Sequence, residues 1–160
     1  MKPLYLTILA LLFLAALTPA FAIEQPRIVP RANEVPKPID EVFARLKKYF
    51  SDPLNHFQLV SADPKHHTIV AKESGIDSAS WNNWSFCKTG PVEMIYKYED
   101  GTVTVTVKLE KTTKRSTFVS VAADFQGAYR LGSNENKVAC QSKFVLEDQL
   151  LSVAGATSAN

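Results

Sequence analysis

The sequence predicts an α+β domain in which a curved antiparallel sheet of about six strands carries an N-terminal and a C-terminal helix. Three observations lead to this class. Apolar residues recur with helical spacing between Asp40 and Ser51, and from Phe57 onward they alternate with polar residues. Helical spacing returns only near the C-terminus. Because no helices separate the strands, the sheet is expected to be antiparallel.

The first 22 residues have the features of a removable export signal. Lys2 precedes an apolar run, Leu4 to Leu17, and Ala20-Phe21-Ala22 fits the small-x-small pattern of a cleavage site. The run is shorter than the roughly 20 residues of a membrane span; an uncleaved anchor or a buried helix is the alternative. No cysteine follows the run to take a lipid. We therefore predict a periplasmic or secreted protein with no transmembrane span.

The composition narrows the function classes. Without its first 22 residues the chain keeps 138, which corresponds to one domain. The 18 basic and 16 acidic residues nearly balance, which argues against a nucleic-acid-binding protein because such a protein needs a basic stripe. A hydrophobic content of 46% argues against a disordered chain.

The domain boundaries follow from proline and small-residue content. Residues 23–38 contain four prolines and are predicted to form a stiff tether rather than a folded element. A single domain is predicted over residues 39–155, and a disordered tail over residues 156–160.

The two cysteines, Cys87 and Cys140, are predicted to form one disulfide, since an isolated pair in an oxidising compartment usually pairs. Two free buried thiols or one reactive thiol are the alternatives.

The N-terminal part of the domain is predicted to contain a helix and a hairpin. Asp40 is a plausible N-cap, and Pro53 ends the helix because the residue before proline avoids the helical region. The basic cluster Arg45, Lys47 and Lys48 then lies on the solvated face. A three-residue turn at Asp63-Pro64-Lys65 would join the next two strands, pairing Leu59 with Ile69 and Phe57 with Ala71.

A second hairpin is predicted around Asp100-Gly101, a strong two-residue turn signal between two alternating runs. It would pair Tyr98, Tyr96, Met94 and Val92 with Val103, Val105, Val107 and Leu109.

The remaining residues predict one long strand, its partner and a closing helix. Residues 119–131 form the strand, with a bend or bulge at Gly127. A turn near Asn134-Glu135 pairs Leu131 with Val138 and Tyr129 with Cys140, so Cys140 points inward. A helix marked by Leu146, Leu150, Val153 and Ala154 ends at Gly155.

This order of elements over Ile39 to Gly155 resembles the helix-grip group, in which a curved antiparallel sheet wraps a C-terminal helix. The group includes lipid-carrying domains and modules of an envelope-assembly lipoprotein. The resemblance implies a helix-grip-like fold; the lipid attachment cysteine is missing from this sequence.

No catalytic or cofactor motif is present in the sequence, which lacks a G-x-S-x-G elbow, a phosphate-binding glycine loop, an H-E-x-x-H pair and a C-x-x-C pair. We therefore predict a non-enzymatic protein without a cofactor. The histidines His56, His66 and His67 are expected on the surface, too far apart to share a metal ion. A weak site formed by His66 with Asp63 is the alternative.

The stretch from Ser74 to Gly90 is predicted to be a loop that holds both tryptophans. Aromatic rings beside amide groups suit recognition of a partner, but they could equally fill the mouth of the curved sheet. The candidate ligand or partner contacts are Trp81, Trp84, Phe86, Met94, Tyr96, Phe125 and Tyr129.

Two functions fit these features. The first is an exported envelope module that binds another protein or scaffolds an assembly. The second is a carrier that holds a lipid or other apolar small molecule between the sheet and the C-terminal helix. The basic turn with Lys111, Lys114 and Arg115 is explained by a soluble hairpin end, and contact with anionic headgroups is the alternative.

Overall fold

The computed structural model describes residues 27–87, 98–131 and 134–156, with residues 98–100, 129–131 and 134–136 described by their backbone alone. Within these ranges, seven strands form an open antiparallel sheet with three helices packed against it, which confirms the predicted α+β class. The strands are β1 (Arg31–Val35), β2 (Gln58–Asp63), β3 (Thr68–Ser74), β4 (Ser85–Phe86), β5 (Tyr98–Lys111), β6 (Thr117–Leu131) and β7 (Asn134–Ser142). The helices are α1 (Ile39–Ser51), α2 (Ser78–Trp84) and α3 (Val145–Ala154), and a 3₁₀ turn covers Pro53–Asn55.

The strand order is β2-β3-β5-β6-β7-β4, with β1 also paired to β6. Two strands share one edge of β6 end to end. β1 pairs with Thr117 to Val121, and β7 pairs with Phe125 to Leu131. Among the described strands, none pairs with residues 122–124 of β6 on that edge.

The core lies between one face of the sheet and the helices. Alternate residues of β5 and β6 are buried on this face, as the period-two pattern predicts, and Val107 lies opposite Val121 at its centre. α1 packs on β2, β3 and β5, while α3 packs on β6, β1 and α1. Burying a side chain of valine or leucine size contributes about 1.5–3 kcal/mol. The helices bury Val42, Phe43, Leu46 and Phe50 from α1, and Leu146, Leu150, Leu151 and Ala154 from α3.

Helix α1 is confirmed, but its predicted cap is wrong. Pro38 occupies the N-cap position without a side-chain hydrogen bond, and Asp40 lies inside the first turn. Its negative charge still favours that end of the helix dipole. The helix ends at Ser51, before the extended residue Asp52 that precedes Pro53.

The predicted tether contains a strand, which corrects that part of the prediction. β1 lies between Pro30 and Pro36, so every residue of Arg31–Val35 keeps the N–H group that a ladder requires. Val35 is fully buried, and the Thr117 hydroxyl donates a 2.8 Å hydrogen bond to the Lys37 carbonyl oxygen. The sheet therefore begins eight residues before Ile39.

The first hairpin is present with a different register. Leu59 pairs with Ala71, and a bulge follows at Val60. The turn has four residues rather than three, because the Asp63 carboxylate accepts hydrogen bonds from the backbone N–H groups of Lys65 and His66 at 2.9 and 3.1 Å.

The predicted turn at Asp100-Gly101 is wrong, because both residues lie within the continuous strand β5. Gly101 pairs with Gly127 of β6. Within the described residues, the pairing register of β5 and β6 shifts only between Tyr98 and Asp100. Gly101 is needed for a close approach instead of a turn. A Cβ atom there would lie 2.2 Å from Cε3 of Trp81. The predicted partner residues 92–97 lie outside the described residues.

The β6–β7 hairpin also differs from the prediction. Leu131 pairs directly with Asn134, so Asn134 and Glu135 lie in β7 instead of the turn. Cys140 pairs with Phe125 instead of Tyr129, a shift of four residues that preserves its predicted inward direction. Gly127 pairs with Val138 in unbroken register, so the predicted bulge is not at this glycine.

The remaining expectations concern α2, α3 and the chain ends. Residues 78–84 of the predicted loop form helix α2. α3 is confirmed and ends at Gly155, whose φ of 105° is left-handed. Among the described helices, none has the length and apolarity to cross a membrane. The predicted signal and cleavage site lie outside the described residues, as does the tail from residue 157.

We predict that Gly101→Ala destabilises the protein by about 1–3 kcal/mol, because the new methyl group must displace the packed Trp81 ring. A glycine-to-alanine change within a strand would otherwise be neutral or stabilising. Urea unfolding of both proteins measures the difference.

The matched test is the same change in a Trp81→Ala background, where the additional loss is expected to disappear. An equal loss in both backgrounds would show that the Trp81 contact is not its cause.

Candidate functional site

A disulfide between Cys87 and Cys140 joins the residue after β4 to β7, as predicted. Their Cα atoms are 4.2 Å apart, and 53 residues separate them in sequence. Both residues are buried. Because the bond is remote from solvent and closes a long loop, its evident role is to hold β4 and α2 against the sheet.

Helix α2 is fixed by its N-terminal cap. The Asp77 carboxylate accepts hydrogen bonds from the N–H groups of Ala79 and Ser80 at 2.9 and 3.0 Å, and from the Ser80 hydroxyl at 2.7 Å. The Ser80 hydrogen bonds lower the pKa of Asp77, because they favour the ionised carboxylate. Trp81 and Trp84 are three positions apart in this helix and therefore project from nearby positions on its surface.

Trp81 is buried against β5 and β6 of the sheet. Its side chain is only 4% exposed, and its ring meets the buried Phe125 ring edge to face at a centroid distance of 5.6 Å. The Ser85 hydroxyl donates a 3.1 Å hydrogen bond to the Trp81 carbonyl oxygen. Trp81 and Phe125 therefore both belong to the described core, and their predicted contact with a ligand or partner stays a prediction.

Phe86 occupies the opposite situation. It lies in the two-residue strand β4, at the end of the strand order, and is 48% exposed. Trp84 is partly buried beside it, and the Trp84 carbonyl oxygen accepts a 2.9 Å hydrogen bond from the Lys143 N–H group. We call Trp84, Ser85, Phe86 and Gln141 the β4 edge. It combines an exposed aromatic side chain with a backbone held by β7 and the adjacent disulfide.

Among the described residues, the structure shows no contact between the β4 edge and the remaining residues predicted to touch a ligand or partner. Met94 and Tyr96 lie outside the described residues, and Tyr129 is described by its backbone alone.

A small pocket lies where β1 and β7 leave β6 uncovered. Its volume is about 30 Å³, room for about one water molecule. A carrier of a drug-sized ligand needs about 300 Å³ or more. The pocket is lined by Arg27, Ile28, Val29, Ala123, Cys140, Gln141, Ser142 and Phe144.

The histidines do not converge. His66 and His67 lie in the β2–β3 turn rather than in a strand, and His56 follows the 3₁₀ turn. His66 Nδ1 lies 2.6 Å from Asp63 Oδ2, and this contact lowers the pKa of Asp63; a metal site formed by the two residues stays a prediction. Across residues 27–87, 98–131 and 134–156, no group of three side chains could hold a metal ion.

Sequence reasoning missed Glu147 in the first turn of α3. Its side chain is fully buried, and neither carboxylate oxygen has a hydrogen-bond partner. The nearby Ser142 hydroxyl accepts a 2.8 Å hydrogen bond from the Phe144 N–H group, and its own proton remains available to Glu147. Burial raises the pKa of Glu147, while Ser142 and Arg31 oppose this shift. Helical spacing could have revealed it, because Glu147 shares a face with Leu150, Leu151 and Ala154.

Comparisons with known proteins give distant similarities. No family model matches the chain, and no curated protein matches it significantly. A TBP-like protein from Parabacteroides distasonis ATCC 8503 is 8% identical with a TM-score of 0.37, covering 70% of this chain and 65% of that one. A DUF4468 family protein from Bacteroides ovatus ATCC 8483 is 12% identical with a TM-score of 0.40, covering 72% and 66%. The matched region is thus slightly less than two thirds of either protein, and these similarities assign no function.

We predict that replacing both cysteines with alanine lowers the free energy of unfolding by about 4 kcal/mol, the loop-entropy value for a 53-residue separation. Urea unfolding of the oxidised protein and the double variant measures this loss. A reducing agent is expected to bring the wild type to the stability of the variant without affecting the variant itself. Equal stability of the two oxidised proteins would contradict the prediction.

We predict that Glu147→Gln stabilises the protein at pH 7 by an amount on the order of 1 kcal/mol, because the neutral amide avoids the cost of ionising a carboxyl group in a buried site. The folded state holds the Glu147 proton more tightly than the unfolded state does, because the folded pKa lies above the ordinary 4.5. Wild-type stability therefore falls as pH rises from 4.5 to the folded pKa. Unfolding free energies from pH 4 to pH 8 measure this fall.

The gain from Glu147→Gln is expected to shrink toward pH 4, where the wild-type carboxyl is protonated in both states. Glu34→Gln makes the same change of charge at an exposed residue that has no ion pair among the described residues, and it serves as the control. A pH-independent gain would contradict ionisation of Glu147 as its origin.

Proposed function

We propose that this chain is an exported, non-enzymatic module that binds another protein of the cell envelope through the β4 edge. The observation that carries the proposal is Phe86, a 48% exposed aromatic side chain on a backbone that β7 and the disulfide hold in place. An aromatic anchor loses little conformational freedom on binding, and such anchors dominate the energetics of protein interfaces.

The geometry of the edge supports an extended partner segment. Among the described strands, β4 pairs with β7 alone and stands at the end of the strand order. A partner strand would gain backbone hydrogen bonds from this edge and an apolar contact from Phe86, which is the usual division between affinity and specificity in strand addition.

Export and a non-catalytic role rest on separate arguments. The apolar run from Leu4 to Leu17 and the Ala20-Phe21-Ala22 site favour export, and a disulfide is typical of an oxidising compartment. The His66–Asp63 pair is exposed on a turn, where a general base would lack the enclosed surroundings in which acid-base catalysis operates.

The carrier interpretation has weaker support. Trp81 and Phe125 pack against one another at the position where that interpretation places the pocket lining. An apolar small molecule held between sheet and helix stays a prediction that native mass spectrometry tests directly, through an adduct that travels with the folded protein.

We predict that a photo-reactive phenylalanine analogue at Phe86 cross-links to one envelope protein in cells that make the chain. The matched control is the same analogue at Phe118, which is 43% exposed on the sheet surface remote from the helices. The expected result is a cross-linked species at Phe86 and none of that mass at Phe118, identified by mass spectrometry of the purified adduct.

A second comparison separates binding from folding. Phe86→Ala is expected to weaken binding of the identified partner at least tenfold without changing the melting temperature, since hot-spot truncations commonly cost more than about 1.4 kcal/mol. Equal cross-linking at both positions, or unchanged affinity of Phe86→Ala, would refute the β4 edge as the binding surface.

A further inference from the structure

The end of the β5–β6 hairpin is an ordered turn. The N–H groups of Thr112 and Thr113 both donate to the Ser116 carbonyl oxygen at 3.1 Å. The Thr113 and Ser116 hydroxyls lie 2.8 Å apart, and the Arg115 N–H group donates to the Thr113 hydroxyl at 3.1 Å. The positions of the side chains on this turn are therefore set by the backbone.

Three cations on this turn are exposed and have no ion pair in the described part of the chain, namely Lys111, Lys114 and Arg115. Three other basic residues of the described chain are ion-paired. Glu41 pairs with both Lys37 and Arg45, and Asp148 pairs with Arg31.

The β2–β3 turn lies beside it at the same end of the sheet. The Leu109 N–H group donates a 3.0 Å hydrogen bond to the His67 carbonyl oxygen, and Lys108 pairs with Thr68. We call residues 63–67 and 108–116 the basic tips.

The basic tips concentrate the charge of the molecule. They contain five basic residues and two acidic ones, Asp63 and Glu110, for a net charge of +3 with neutral histidines. The whole chain carries only +2. One of the two acids, Asp63, is already engaged by His66. This end of the sheet is therefore cationic relative to the rest of the protein, and it attracts anionic surfaces over about one Debye length.

We propose that the basic tips bind the anionic headgroup surface of a lipid bilayer. The cations are exposed and spread over two turns, so they suit an extended array of phosphates. A single small anion would instead require donors that converge in a concave site. Each lysine or arginine near an anionic membrane strengthens binding about fivefold.

This contact would leave the β4 edge free. Cys140, whose disulfide adjoins the β4 edge, pairs with Phe125 of β6. Phe125 is eight residues from Thr117, which directly follows the basic tips, and this separation corresponds to about 27 Å of strand. The inference does not rest on the proposed function. Membrane binding and partner cross-linking are separate measurements, and either can fail alone.

The test is flotation of the protein, without residues 1–22, with vesicles of phosphatidylcholine containing 30% phosphatidylglycerol and with vesicles of phosphatidylcholine alone. Binding is expected only to the anionic vesicles, and it is expected to fall at least tenfold between 50 and 500 mM salt. The variant Lys114→Glu/Arg115→Glu is expected to bind the anionic vesicles at least tenfold more weakly than the wild type.

The control variant, Lys47→Glu/Lys48→Glu, makes the same change in net charge at two exposed positions on α1. It is expected to keep binding within about threefold of the wild type, and both variants are expected to keep the wild-type melting temperature. The proposal is overturned if no binding to anionic vesicles occurs, or if the two variants lose affinity equally, since net charge alone would then explain it. Inhibition of binding by 20 mM inorganic phosphate at matched ionic strength would also overturn it, because it would indicate a site for a small anion.

Discussion

The pairing of β5 with β6 is the interaction on which the rest of the structure depends. The two strands remain paired from Tyr98–Tyr129 to Lys111–Thr117, and one irregularity interrupts the register. β3 adds to the free edge of β5, while β1 and β7 divide the free edge of β6. The helices then cover the alternating apolar side chains of this pair, so that one ladder determines both the width of the sheet and the position of the core.

The sequence allowed us to predict which residues of these strands face the core. It did not allow us to predict which residues of neighbouring strands pair with one another. Side-chain direction has a period of two, so an even error in register leaves every inward residue inward. This is why Cys140 was placed correctly although its predicted partner was four positions away. The turn predicted at Asp100-Gly101 was wrong for a related reason. A glycine between two alternating runs is compatible with a turn, but also with a continuous strand over which an aromatic ring passes closely. Only the position of Trp81 distinguishes the two.

The candidate functional site could likewise be predicted only in part from the sequence. Pairing of the cysteines followed from their number and from the predicted export of the chain, and it could be predicted without geometry. Whether each aromatic residue is buried or exposed could not be predicted from the sequence. Trp81 and Phe86 lie only five residues apart, in a segment whose helix was not predicted. Helix α2 turns Trp81 toward Phe125, and the change to strand at Ser85 leaves Phe86 at the edge. Local backbone geometry thus decides the role of residues that look alike in sequence.

The buried position of Trp81 bears on where this protein could bind a partner. Its ring packs against Phe125 at the position where the carrier interpretation places the pocket lining, and both surfaces that we propose for recognition lie at the perimeter of the sheet. The perimeter offers two chemically different surfaces, the aromatic β4 edge and the cationic basic tips, on different sides of the sheet. A rigid ladder between them keeps their separation fixed. Taken together, the two proposals describe a module that holds a protein partner at a fixed distance from an anionic surface, because the β5–β6–β7 ladder connects the two binding surfaces.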